Sequence, residues 1–152
     1  MDIRKILLRY SPEKTNLLNI LHDIQDAHPQ NYLPDEILRE VAAYLNTTVS
    51  SVYGVVKYYT MFSTKPRAKY IVRVCQSPIC HLMGHETVLE NLRKVLKVGI
   101  NEPTPDGLFY IELSECLGIC DVAPAMMIGQ EPYGNLTEGS IASVISELRS
   151  KS

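Results

Sequence analysis

The chain has no dense run of lysine or arginine, and its formal net charge is only -2. It therefore lacks the electrostatic footprint of a nucleic-acid binder, and no nucleic-acid partner is expected. No apolar run approaches membrane-spanning length, which excludes direct membrane insertion by a helix. The opening MDIRKILLRYSPEK has a short apolar patch broken by Arg9. It has neither the longer apolar region nor the small-residue cleavage site of a secretory signal. The expected location is cytoplasmic, where structural disulfides are rare. There is no Ser-His-Asp set, phosphate loop or GxGxxG, so the sequence offers no site of its own for flavin or nicotinamide. Internal repeats and low-complexity segments are also missing. Cysteine is scarce: the 152 residues contain four.

Those four form two tight pairs, Cys75 and Cys80 in CQSPIC and Cys116 and Cys120 in CLGIC. Two thiol pairs separated by a helix-bearing stretch are what a four-thiolate metal centre needs, since each pair can grip one side of the centre. C-x4-C with C-x3-C is not the C-x2-C knuckle that closes on a single tetrahedral zinc. A [2Fe–2S] rhomb is wider and tolerates looser pairs, so the spacing favours it. Two disulfides, or isolated core thiols, are the bland alternatives, and the cytoplasmic setting argues against the first.

Hydrophobic residues make up 45% of the chain and charged residues 21%, ordinary values for a globular protein of one or two small domains. Residues 15 to 27 place Leu17, Leu18, Leu21 and Ile24 at helical spacing, with His22, Asp23 and Asp26 turned away. A second helix is expected from Pro34, with Asp35 and Glu36 at the positive end of its dipole and Ile37, Leu38, Val41 and Leu45 on its apolar face. Thr47 or Thr48 can cap a third through about Tyr59. The expectation is an N-terminal three-helix bundle. From Ala68 the pattern becomes β-rich, which sets a domain boundary near Pro66 and divides the chain into 1-66 and 67-152. Tyr70 to Val74 is a strand that delivers the chain to Cys75, and residues 84 to 97 form a helix. Phe109 to Leu113 and Ala125 to Ile128 are strands, Gly129 to Gly134 a turn, and Thr137 caps a last helix. The order is β-α-β-β-α, an α/β class, with the cysteines on loops at one end of the sheet.

Several segments now carry a family likeness: LPDEILREVAAYLNTTVSSVYGVVKYYTMF, CQSPIC followed by Gly84, ECLGICDVAP and the late YGNLT. From about Asn16 to Leu148 the chain resembles the thioredoxin-like [2Fe-2S] ferredoxin family. That family supplies the small iron–sulfur subunit of NADH dehydrogenases and of NAD-linked or electron-bifurcating hydrogenases and formate dehydrogenases. The resemblance implies a one-electron carrier that is not catalytic alone. It assigns Cys75 and Cys80 to one iron of a [2Fe-2S] cluster and Cys116 and Cys120 to the other. It also implies a partner subunit that binds flavin and NAD, and a further catalytic subunit that is a hydrogenase, a formate dehydrogenase or quinone-reducing. This chain departs from the family pattern at Ser77-Pro78-Ile79, where Gly or Asn and then Thr are usual, and at Lys57-Tyr58-Tyr59, where TFY is common. The first departure bears on hydrogen bonds to cluster sulfur, the second on packing or a partner surface.

Thiolates suit ferric iron and sulfide as soft anionic donors. Backbone N–H groups in the Leu117-Gly118-Ile119 turn are expected to point at sulfur, and Gly118 to allow close approach. Glu112, Glu115 and Asp121 lie near in sequence and oppose the extra electron wherever they face the cluster. His81 and His85 follow the first pair, yet four cysteines already saturate a two-iron cluster. Tyr53, Tyr58 and Tyr59 read as core and interface packing at helical spacing, Met126 and Met127 as a buried strand, Gly84 as a helix start and Gly134 as a turn. Two other function classes stay open: a thioredoxin-like thiol oxidoreductase, which lacks its usual C-x-x-C here, and a zinc-stabilised interaction module.

Overall fold

A computed structural model describes residues 2–151. The chain divides into two compact units, Met1–Arg67 and Ala68–Ser152. In the first, Asp2 caps a short helix α1 (Ile3–Leu7) by accepting from the Lys5 N–H. A 3-10 turn (Lys14–Asn16) leads into α2 (Leu17–Ala27), followed by α3 (Asp35–Tyr44) and α4 (Val49–Tyr58). The three expected helices are α2, α3 and α4. The added α1 is too short for periodicity to reveal. Pro34 sits at the N-cap of α3 rather than inside its first turn, and the Thr48 hydroxyl accepts from Ser51 to cap α4. Apolar residues of all four helices close one core around Leu21, Ile24, Leu38, Val41 and Val52, with Phe62 and Leu33 from the connecting segments. Gln25 is buried in this unit and fully used: it donates to the Met61 carbonyl and accepts from the Ser63 N–H. Among the tyrosines, Tyr53 is half-buried and its hydroxyl donates to Asp35, whereas Tyr58 is 79% exposed and lies outside the core.

The second unit runs β1 (Tyr70–Cys75), α5 (Pro78–Leu82), α6 (His85–Leu96), β2 (Phe109–Ser114), a 3-10 turn (Cys120–Val122), β3 (Met126–Ile128), β4 (Glu131–Tyr133) and α7 (Glu138–Ser150). The sheet order is β2-β1-β3-β4, with β1 and β2 parallel and the other pairs antiparallel. This is a four-stranded mixed sheet. Val72 and Val74, Phe109 and Ile111, and Met126 and Ile128 alternate onto one face, where α6 and α7 cover them with Val88, Leu89, Leu92, Ile141 and Ile145. The opposite face carries Arg73 of β1, whose Nε donates to Glu112 of β2 at 2.8 Å, directly across in the parallel register.

Two elements depart from the expected order. The segment after Gly129 is a hairpin and not only a turn: Gly129 takes φ +61° and Glu131–Tyr133 returns to pair with β3. Pro132 in that strand donates nothing, which an edge position tolerates. The segment inside the first cysteine pair is helical, with Pro78 at the start of α5, where a missing N–H costs no bond.

Candidate metal centre

Parallel pairing of β1 with β2 decides where the thiols meet. Cys75 is the last residue of β1 and lies opposite Ser114, two residues before Cys116, so both pairs emerge at the same end of the sheet. Cys80 returns on α5 and Cys120 opens the 3-10 turn after β2. Cys75 and Cys80 are buried and pack with Ala123, Ala125, Leu117 and Ile119, whereas Cys116 and Cys120 are exposed. The Sγ atoms of Cys116 and Cys120 stand 3.8 Å apart. None of the four forms a disulfide.

Backbone donors converge on sulfur. Gly118, at φ +78°, brings its N–H within 3.4 Å of the Cys116 Sγ. The N–H groups of Ser77 and Leu117 face the Cys75 sulfur, and the Ala125 N–H faces that of Cys80. Leu117 belongs to the loop of the second pair, so its contact with Cys75 ties the two pairs together. The chain's own Ser77, a departure from the family pattern, supplies both a backbone and a hydroxyl contact to Cys75.

The thiols are electrostatically unequal. Burial pushes Cys75 up, but the N–H groups of Ser77 and Leu117, the Cys80 thiol and the Ser77 hydroxyl outweigh it and hold Cys75 below its ordinary value. Cys80 is raised by burial and by its hydrogen bond to Cys75, with the Cys75 and Cys120 charges adding to this. Cys120 is raised by its hydrogen bond to Cys116 and then by the Cys116 charge. Each member of a pair that ionises makes its neighbour harder to ionise, a repulsion that a bound cation reverses.

Whether this donor set suits a cluster can be judged from its arrangement. Among the described residues no three of His, Cys, Asp and Glu gather as a single-ion site requires. A two-iron centre asks instead for one thiol pair per iron, with N–H groups toward sulfur. Two pairs at one end of the sheet, with backbone N–H groups turned toward Cys75, Cys80 and Cys116, fit that demand. Glu112 is taken up by Arg73, and Glu115 accepts from Gln76. His81 is exposed, while His85 is buried with its Nδ1 2.8 Å from the Cys75 carbonyl oxygen, bonded to backbone and not to sulfur. The donors of Ser77 and Ala125, and the role of His85, had no signature in the spacing of the cysteines.

The fold is an α/β unit with two thiol pairs at one end of its sheet, and the chain belongs to the thioredoxin-like [2Fe-2S] ferredoxin family, whose model matches residues 3–149. A [2Fe–2S] cluster is the cofactor of that family, and its members serve oxidoreductases as electron-transfer subunits. Among curated relatives, the NADP-reducing hydrogenase subunit HndA of Solidesulfovibrio fructosivorans is 36% identical over 137 residues, 90% of this chain and 79% of the relative. A subunit of the NADH-quinone oxidoreductase of Aquifex aeolicus is 38% identical over 140 residues, 91% of this chain and 86% of the relative. A crystal structure of an NAD+-reducing [NiFe]-hydrogenase in the H2-reduced state matches with a TM-score of 0.79 at 21% identity. It covers 95% of this chain but 23% of that one, and bears on the fold alone.

Proposed function

We propose that Cys75 and Cys80 hold one iron, and Cys116 and Cys120 the other, of a [2Fe–2S] cluster, and that the chain is the one-electron carrier of a multi-subunit complex that oxidises NAD(P)H or reduces NAD. Its partners in this reading are a flavin- and NAD-binding iron–sulfur subunit, with whose flavin it exchanges electrons, and a further catalytic subunit that is a hydrogenase, a formate dehydrogenase or quinone-reducing. The complex is cytoplasmic. Residues 1-66 serve docking and residues 67-152 hold the cluster. Support for the partners comes from relatives named as subunits of NADH-quinone oxidoreductase and of pyridine-nucleotide-linked hydrogenases. No helix among the described residues is long and apolar enough to cross a membrane.

The observation that carries the reading is the emergence of both pairs at one end of the sheet, fixed by the parallel register that sets Cys75 opposite Ser114, with the Leu117 N–H turned toward the Cys75 sulfur. When bound, the cluster supplies reversible one-electron chemistry. The chain's residues supply the rest. Four thiolates hold the metal, and the N–H groups of Ser77, Leu117, Gly118 and Ala125 offset negative charge on sulfur. Ala123, Ala125, Leu117 and Ile119 shield the buried pair from water, while Cys116 and Cys120 face outward.

Anaerobically purified protein should contain about two irons and two acid-labile sulfides per chain. Cys80→Ala and Cys116→Ala should each abolish or strongly destabilise the visible spectrum, and His81→Ala should leave it intact. A colourless protein with stoichiometric zinc would point to the interaction module, and a colourless dithiol to the thiol oxidoreductase. Loss of the spectrum in a folded His81→Ala protein would overturn all-cysteine ligation.

A further inference from the structure

His85 occupies a place where an apolar side chain is the ordinary choice. It opens α6 on the same face as Val88 and Leu89, three and four residues on, and is 4% exposed. A buried ring nitrogen costs stability unless it is bonded. Here Nδ1 meets the Cys75 carbonyl oxygen at 2.8 Å, and because a carbonyl only accepts, Nδ1 carries the hydrogen. Gly84, at φ +106°, turns the chain so that the ring can reach back to the end of β1.

The Cys75 carbonyl has this partner because of how the ladder ends. The antiparallel register of β1 with β3 places Cys75 across from Ala125, and the Cys75 N–H donates to the Ala125 carbonyl at 3.1 Å. In a hydrogen-bonded antiparallel pair the two residues exchange both bonds, so the Ala125 N–H is the regular donor to the Cys75 carbonyl. That N–H faces the Cys80 sulfur instead. His85 stands in for it.

We propose that His85 is a positioning residue for the cluster: by donating to the Cys75 carbonyl it takes the place of the Ala125 N–H in the β1–β3 ladder and frees that N–H for the Cys80 sulfur. The inference rests on Cys75 and Cys80 being ligands. Hydrogen bonds to cluster sulfur raise the reduction potential, since they offset the negative charge that an added electron increases. Without the His85 donor, the Ala125 N–H is drawn to the Cys75 carbonyl and away from the Cys80 sulfur.

Redox titration of the intact chain, followed by its visible and electron paramagnetic resonance spectra, tests this with two variants. His85→Phe keeps a buried ring but has no donor, and should shift the midpoint potential in the negative direction. His85→Asn places an amide N–H near the Nδ1 position and should restore the potential toward the parent value. A merely structural ring would lower the thermal midpoint of His85→Phe without moving the potential. An unshifted H85F overturns the proposal, as does an H85N shifted as far as H85F. If H85F holds no cluster, H85N must hold one, and failure of both overturns it too. A parent protein without a [2Fe–2S] spectrum defeats the ligand assignment itself and the His85 role with it. A normal parent with unshifted variants defeats the His85 role alone.

Discussion

Gly134 lies against Val122 with no room for a methyl group: a Cβ built there would stand 2.3 Å from Val122 Cγ2 and 2.6 Å from the Val122 carbonyl oxygen. Val122 ends the 3-10 turn that Cys120 begins, and its carbonyl accepts from the Asn135 N–H. Gly134→Ala should therefore lower stability by about 1–3 kcal/mol and loosen the second thiol pair. Chemical denaturation measures the first effect, and the rate of cluster loss under a chelator measures the second. Adding Val122→Ala should not rescue it, because the clash with backbone oxygen remains; full rescue would contradict the packing account. The thiols themselves give a pH dependence. Cys80, raised by burial, and Cys120, raised by its bond to Cys116, give up their protons less readily than an ordinary thiol, and metal capture must displace those protons. Reconstitution should improve as pH rises toward the thiol range and fail on acidification, and uptake independent of pH would contradict these shifts. At this scale the sequence revealed residue types but not backbone partners. The ligand candidates Cys75, Cys80, Cys116 and Cys120 stand out by spacing, whereas the N–H groups of Ser77 and Ala125 do their work with atoms every residue has. Only the strand register brings them to sulfur.

Helix α7 covers the sheet with Ile141 and Ile145, and its start is fixed by a reciprocal cap: the Thr137 hydroxyl accepts from Ser140 N–H, and the Ser140 hydroxyl oxygen accepts from Thr137 N–H. Thr137→Ala should cost about 1 kcal/mol in equilibrium unfolding without changing the visible spectrum. An unchanged unfolding midpoint would show that the cap does not limit the helix. Across β1 and β2 the half-buried pair Arg73 and Glu112 should show a coupling on the order of 1 kcal/mol in a double-mutant cycle, with additive single losses as the contrary result. Elements with strong local signals were legible: α2, α3, α4, α6 and α7 have apolar periodicity, and Thr48 and Thr137 announce their helix starts. Three short elements were not. Helices α1 and α5 span barely more than one turn, too few residues for a period, and β4 contains Pro132, which argues against a strand unless its edge position is known.

The two units divide the work in the proposed account. All four candidate ligands and every strand among the described residues lie in Ala68–Ser152, while Met1–Arg67 has its own apolar core and no cysteine. A chain beginning at Ala68 should keep the iron–sulfur spectrum and lose co-purification with a flavin-bearing subunit. Retention of that partner at full affinity would move the docking role to the second unit. A change from helical to alternating periodicity near Pro66 was readable because the two units use different secondary structure, but the meeting of the thiol pairs was not, since it depends on β1 and β2 running parallel. The central claim is that these two pairs together hold one two-iron, one-electron centre. Electron paramagnetic resonance of the intact protein during stepwise anaerobic reduction tests it most directly. The oxidised protein should be silent, and one electron per chain should produce a signal integrating to about one spin, without hyperfine coupling from a ligating histidine nitrogen. A silent reduced protein, or strong coupling to a histidine nitrogen, would contradict the four-cysteine cluster.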